Sequence, residues 1–153
     1  INELENVRVQ QIGLSDSAGS IDIYGNMEGD SGGNTMFGDA DRVPLEKIQT
    51  RRGDDVLAEL NVEKIDLLKV DVEGAEMHVL RGLDRYFSEG RISTMMLEIN
   101  APHLRSAGAT PPELLEFVHS KGFSVADIRN PKQPLSALPN DNCVVNVCCR
   151  RLS

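Results

Sequence analysis

Apolar positions along this chain follow two alternating rhythms. From Ile65 to Asp71 (Ile-Asp-Leu-Leu-Lys-Val-Asp) they are nearly continuous, the pattern of a strand buried on both faces. From Gly74 to Phe87 the period lengthens, and Val79, Leu80, Leu83 and Phe87 fall on one helical stripe. Glu73 and Glu76 stand at the start of that helix and Arg81 and Arg85 near its end, which suits the helix dipole. Ile92 to Ile99 predicts a second buried strand. Thr110-Pro111-Pro112-Glu113 is a capping box with proline at the first helical position, and Gly122 closes that helix after Lys121. Phe123 to Ile128 and Cys143 to Arg150 predict two more strands, the last antiparallel to its neighbour, with Pro131, Pro134 and Pro139 punctuating the loop between them. The order β-α-β-α-β-β implies a mostly parallel sheet covered on both faces.

The first sixty residues are less regular. Val7 to Gly13 predicts a strand that ends in a turn at Leu14-Ser15-Asp16, and Ser20 to Tyr24 alternates like a second strand able to pair with it. Gly25 to Asp41, rich in Gly, Asp, Asn and Ser, predicts a long loop. Pro44 to Ile48 and Asp55 to Leu60 predict short helices.

Composition narrows the class. The chain has 153 residues, 40% hydrophobic and 26% charged, as expected of one globular unit. A formal charge of −8 repels phosphate backbones and anionic lipid, which argues against nucleic acid and membrane surfaces as partners. No apolar run approaches a membrane span. Cys143, Cys148 and Cys149 form neither a C-x-x-C pair nor a disulfide framework, so they predict free thiols in a reducing compartment such as the cytoplasm.

The chemistry concentrates in Lys69-Val70-Asp71-Val72-Glu73-Gly74-Ala75-Glu76. This run spans the end of a buried strand and the first turn of the next helix, the edge where open α/β sheets bind ligands. Three carboxylates within six residues repel one another unless a cation or hydrogen-bond donor sits among them. Lys69 and Asp71 share a strand face, so Asp71 either pairs with Lys69 or serves as a base or metal ligand. Glu98 and Asn100 end the next strand on the same edge, with His103 just beyond. A carboxylate, an amide and an imidazole there suit hydroxyl recognition and proton transfer, although loop polarity alone also accounts for His103 and His119, and His78 reads as structural. Gly29-Asp30-Ser31-Gly32-Gly33 spells a serine-protease nucleophile motif. All three histidines lie downstream of it and the surroundings read α/β, so it predicts a loop at the site's rim.

The run from Ile65 to Glu76, followed by Val79-Leu80-Arg81-Gly82, resembles the signature of FkbM-type methyltransferases. Asn6-Val7, Gly13-Leu14-Ser15-Asp16 with Gly19, Leu97-Glu98-Ile99 and Gly122-Phe123 resemble its flanking landmarks in order, so the likeness covers essentially the whole chain; Leu45-Glu46 departs from the expected Leu-Asp. The resemblance implies a class I methyltransferase (Rossmann-like) sheet, mostly parallel with an antiparallel last strand. It also implies S-adenosylmethionine as cofactor and a hydroxyl on a small molecule or glycan as acceptor. Asp71, Glu73 and Glu98 are then the expected reaction-centre residues, and Leu14, Ser15 and Asp71 the expected cofactor contacts, the first two beside the adenine. The family's D-x-G-A-N-x-G turn does not occur here. With Ile1 in place of Met, the first cofactor-binding strands are expected upstream, residues 1–60 to be a loosely attached strand and loop region, and 61–153 the core. Two other readings stand beside the enzyme: a non-catalytic interaction remnant of the same fold, and a metal-dependent hydrolase or lyase using the strand-end carboxylates.

Overall fold

A computed structural model of the chain describes residues 4–26, 34–36, 38, 42–135, 137–138 and 142–152. The Gly29–Gly33 motif, Pro139 and most of the 25–41 loop lie outside the described residues.

Two sheets are present. The larger has the order β4-β5-β7-β6, built from β4 (Ile65–Val70), β5 (Ile92–Asn100), β7 (Val144–Arg151) and β6 (Phe123–Asp127). β4 and β5 run parallel, whereas β7 is antiparallel to both its neighbours, so the sheet is mixed rather than mostly parallel; the antiparallel last strand is as expected. Met95, Leu97 and Ile99 of β5 are fully buried while Met96 and Glu98 between them are half-buried, so one face is better covered than the other. β4 is one of the two edge strands of this sheet. Only Val70 in it is buried and Leu67 is 55% exposed, which corrects the expectation of burial on both faces. A short apolar run does not reveal whether it has one strand neighbour or two.

The predicted helix from Gly74 to Phe87 is two short ones, α2 (Glu76–Arg81) and α3 (Asp84–Ser88). The apolar stripe survives the break: Val79, Leu80, Leu83 and Phe87 are all buried. Phe87 meets Phe117 and Phe123 edge-on, with ring centroids 6.1 and 5.9 Å apart. The break is anchored from outside by Asp54, in α1 (Gly53–Glu59). Its main-chain N–H donates to Gly82 O (2.9 Å), and its carboxylate accepts from the N–H groups of Arg85 (3.0 Å) and Tyr86 (3.2 Å), capping α3. α4 (Ala101–Ser106), absent from the sequence reading, is capped by the Asn100 side chain; α5 (Pro111–Ser120) has the full capping box at Thr110 and Glu113, and Gly122 follows with φ +80°.

The smaller sheet has the order β1-β3-β2, from β1 (Gly13–Ser15), β2 (Gly19–Asn26) and β3 (Arg42–Arg52). Three expectations are corrected here. Residues 7–12 are not strand, and Leu14 and Ser15 lie in β1 rather than in a turn. β1 and β2 do not pair with each other but flank β3, one parallel and one antiparallel. The predicted helix at Pro44–Ile48 belongs to β3, where Pro44 sits opposite Tyr24 at a register shift, a place where a strand tolerates proline. The helix expected at Asp55–Leu60 is present as α1, which runs from Gly53 to Glu59 with Leu60 as its C-cap. Among the described residues no helix is long and apolar enough to cross a membrane, and all three cysteines are free.

The small sheet docks through a contact without side chains. A Cβ on Gly82 would lie 2.0 Å from Ser15 O, and one on Gly53 would lie 2.6 Å from Leu83 Cδ2. The expected outcome of Gly82→Ala is therefore separation of β1 from α2. Hydrogen exchange of the β1–β3 amides would accelerate while the β5 and β7 amides keep their protection. Unchanged exchange at β1 would contradict this account of the docking.

Candidate active site

The carboxylates converge at the C-terminal ends of β4 and β5. Val70 pairs with Leu97, so continuing the parallel register sets Asp71 opposite Glu98. Glu98 in turn faces Asn146 of β7, whose side-chain amide donates to it at 3.1 Å. The chain then turns sharply: Glu73 has φ +50° and Gly74 φ +105°. The turn brings Glu73 back toward the row, and carboxylate oxygens of Asp71, Glu73 and Glu98 all lie within 4.8 Å of one another. The three expected reaction-centre residues are thus gathered in one place.

Their mutual repulsion is relieved one partner at a time. Lys69 forms an ion pair with Asp71, as strand alternation predicts. Glu73 Oε2 accepts from His103 Nδ1 at 2.8 Å and from the Asn100 side-chain amide at 3.2 Å. Spacing of this kind is compatible with a shared cation, but each carboxylate already has a protein partner, and no metal is assigned.

Glu73 is a non-glycine residue at positive φ, a conformation that persists only when its surroundings enforce it. Thr35 Oγ1 donates to its carbonyl at 3.0 Å, and the next N–H, of Gly74, donates to Glu76 Oε1 at 3.0 Å. Gly74 is required: a Cβ there would meet His103 O at 2.7 Å. Glu76 is 1% exposed, and its Oε2 has no hydrogen-bond partner among the described residues. Burial pushes its carboxyl above the ordinary range and nearby Glu73 adds to this, against the lowering effect of the backbone N–H groups around it.

His103 was an open candidate in the sequence. Its imidazole, about a quarter exposed, is held by Glu73 on one edge, with Arg42 Nη2 3.5 Å from Nε2 on the other. The signal available was the position of His103 three residues after Asn100, which places it in the first turn of a helix that Asn100 caps. His119 by contrast binds Phe123 O. His78 contacts Asp16 at 3.2 Å; burial raises the Asp16 carboxyl, but the hydrogen bond and charge of His78, with Ser17 and Ser15, outweigh it and hold Asp16 below the usual range.

Leu14 and Ser15 diverge. Leu14 lines a cavity of about 220 Å³ walled by Ile21, Ile23, Ile48, Val72 and Val79, with Asn34 and Thr35 among its polar members. Ser15 instead turns its hydroxyl to Asp16 and its carbonyl to Gly82.

Comparison with known proteins identifies a family. The family described as "Methyltransferase FkbM domain" matches residues 2–125. The chain is similar to Methyltransferase sdnD of Sordaria araneosa, 31% identical over 80% of the chain, and to Methyltransferase 1 of Beauveria bassiana, 34% identical over 82%. It is also similar to the AMB antimetabolite synthetase AmbE of Pseudomonas aeruginosa, 31% identical over 73% of the chain and 6% of that protein. The aligned region spans 56% and 55% of the two methyltransferases. No solved structure matches significantly.

The buried Glu76 gives a pH-dependent prediction. Its folded pKa is raised, so its protonated form contributes stability below the ordinary carboxylate range, and that contribution is lost as pH rises through the folded value. Relative to wild type, Glu76→Gln should gain in unfolding free energy between mild acid and neutral pH and lose that gain in acid. Urea titrations across the range measure this, and a pH-independent difference would refute it.

Proposed function

The chain belongs to the FkbM methyltransferase family, and from that premise we propose that the whole protein transfers a methyl group from S-adenosylmethionine to a hydroxyl oxygen of a small molecule or glycan. The observation that carries this reading is the gathering of Asp71, Glu73 and Glu98 at one strand edge, next to the turn whose Val72 walls the Leu14 cavity.

The residues present fit the cofactor at both ends. Carboxylates crowded within 4.8 Å complement a sulfonium cation. The aliphatic cavity of about 220 Å³ has room for a flat bicyclic base, since a dry apolar cavity of ~150 Å³ already admits benzene. Leu14 would lie against the ring and Asn34 offers a polar group to its edge. When bound, S-adenosylmethionine supplies an electrophilic methyl on a positively charged sulfur. Asp71, kept in place by Lys69, and Glu98, by Asn146, provide the negative potential at the reaction centre. Positioning of an acceptor oxygen in line with the methyl supplies much of the acceleration, and a base at the site removes its proton.

Calorimetric titration of the full-length protein with S-adenosylmethionine and S-adenosylhomocysteine tests the reading. Both should bind, and Leu14→Asp should weaken both by about tenfold or more, roughly 1.4 kcal/mol. Absence of binding to either ligand would replace the enzyme with the interaction-module reading.

A further inference from the structure

Among the described residues the site contains a carboxylate–imidazole pair that the acidic motif alone does not reveal. His103 Nδ1 lies 2.8 Å from Glu73 Oε2, and a carboxylate on that nitrogen selects the tautomer with hydrogen on Nδ1 and a lone pair on Nε2. The pair is built rather than incidental. Asn100 donates to the same Oε2, and its Oδ1 accepts from the His103 main-chain N–H at 3.3 Å, so one amide fixes both partners. The main chain of Glu73 is held at positive φ by Thr35 on its carbonyl, while the following Gly74 packs against the His103 backbone. Three separate elements thus converge to hold one strained glutamate against one histidine, an expense usually found at functional sites.

We propose that His103 is the general base for the acceptor hydroxyl, with Glu73 as the residue that orients it. This rests on the methyl-transfer reading above. It also reassigns Glu73 from direct chemistry to positioning, because its side chain is already committed to His103 and Asn100. The acceptor's proton passes to Nε2. The electron pair of its O–H bond stays on oxygen and becomes the new O–CH3 bond, while the pair of the breaking C–S bond leaves with sulfur. The imidazolium then returns the proton to water. Among the described residues, the charged groups around the ring are Glu73 at Nδ1, with Asp71 and Glu98 behind it, and Arg42 from β3 at Nε2. At 3.5 Å the Arg42 contact is at the outer limit of a hydrogen bond, so an acceptor hydroxyl can take its place.

Two measurements on the full-length protein decide the matter. With ¹⁵N-labelled histidine, long-range proton–nitrogen spectra of the protein without acceptor should show His103 protonated on Nδ1 and bare on Nε2, and Glu73→Ala should abolish that preference. In methyl transfer from labelled S-adenosylmethionine to cyclohexanol and methyl α-glucoside as probe acceptors, His103→Ala and the more conservative His103→Gln should lower kcat by about 10²–10⁴-fold. Both variants should remove the acid limb of the kcat–pH profile and leave S-adenosylmethionine affinity within about twofold of wild type. Glu73→Gln should lower kcat by a smaller factor, about 10–100-fold, as an orienting partner does. A wild-type His103 protonated on Nε2 overturns the assignment. So do His103 variants that bind the cofactor and keep both kcat and the acid limb, an outcome that leaves the methyl-transfer reading standing. Failure of the wild-type protein to bind S-adenosylmethionine removes both.

Discussion

The contact between Ser15 and Gly82 governs how the two sheets meet. It joins the end of β1 to the end of α2 with no side chain between them, so the separation is set by van der Waals radii rather than by rotamers. Asp54 reinforces it from α1 by donating its N–H to Gly82 O and capping the helix that begins beyond. The consequence reaches the site directly. With Ser15 pressed on Gly82, its neighbour Leu14 is held over Val72, Ala75 and Val79, and the gap left between these apolar surfaces is the Leu14 cavity.

Electrostatics at the β4–β5 edge follow from the same economy of position. A chain with a net charge of −8 places four acidic groups, Asp71, Glu73, Glu76 and Glu98, near one turn. Each is stabilised differently: Asp71 by a lysine two residues back, Glu98 by a cross-strand amide, Glu73 by an imidazole and an amide, and Glu76 by the N–H of Gly74. Glu76 is the least well served, since one of its oxygens is buried without a partner among the described residues and burial opposes its ionisation. What it contributes in return is control of the peptide after Glu73, and hence the direction in which the Glu73 side chain leaves the strand.

Much of this was legible in the sequence, for identifiable reasons. The capping box at Thr110, the glycine at 122 and the stripe Val79, Leu80, Leu83, Phe87 depend on local chemistry, and they stand where the sequence put them. The Lys69–Asp71 pair follows from strand alternation alone. The misreadings occur where a distant residue decides. The α2–α3 break is held by Asp54 and by the approach of Ser15, of which only the glycine at 82 leaves a mark between residues 74 and 87. Pro44 reads as the first residue of a helix until a bulge at Leu45 of β3 itself makes room for it in a strand. The exposed edge of β4 is a fact about its neighbours, not about its own apolar run. At the site, Asp71, Glu73 and Glu76 were visible because they are clustered in sequence and Glu98 because it ends the next strand on the same edge, whereas the pairing of His103 with Glu73, thirty residues away, depends on the turn at Glu73 and Gly74.

The pattern of the segment Lys69 to Glu76 has a physical explanation in that turn. Its polar members, Lys69, Asp71 and Glu73, lie on the side of the carboxylate row, while Val72 and Ala75 line the Leu14 cavity. A regular strand continued through residue 75 would carry Ala75 to the same side as Asp71 and Glu73. The positive φ values at Glu73 and Gly74 reverse the alternation, so Ala75 returns to the apolar side beside Val72 and α2 begins with Val79 on that wall as well. One eight-residue segment therefore partitions the candidate site: a charged surface on one side and an aliphatic surface on the other. Any substitution that relaxes the turn therefore disturbs both surfaces at once.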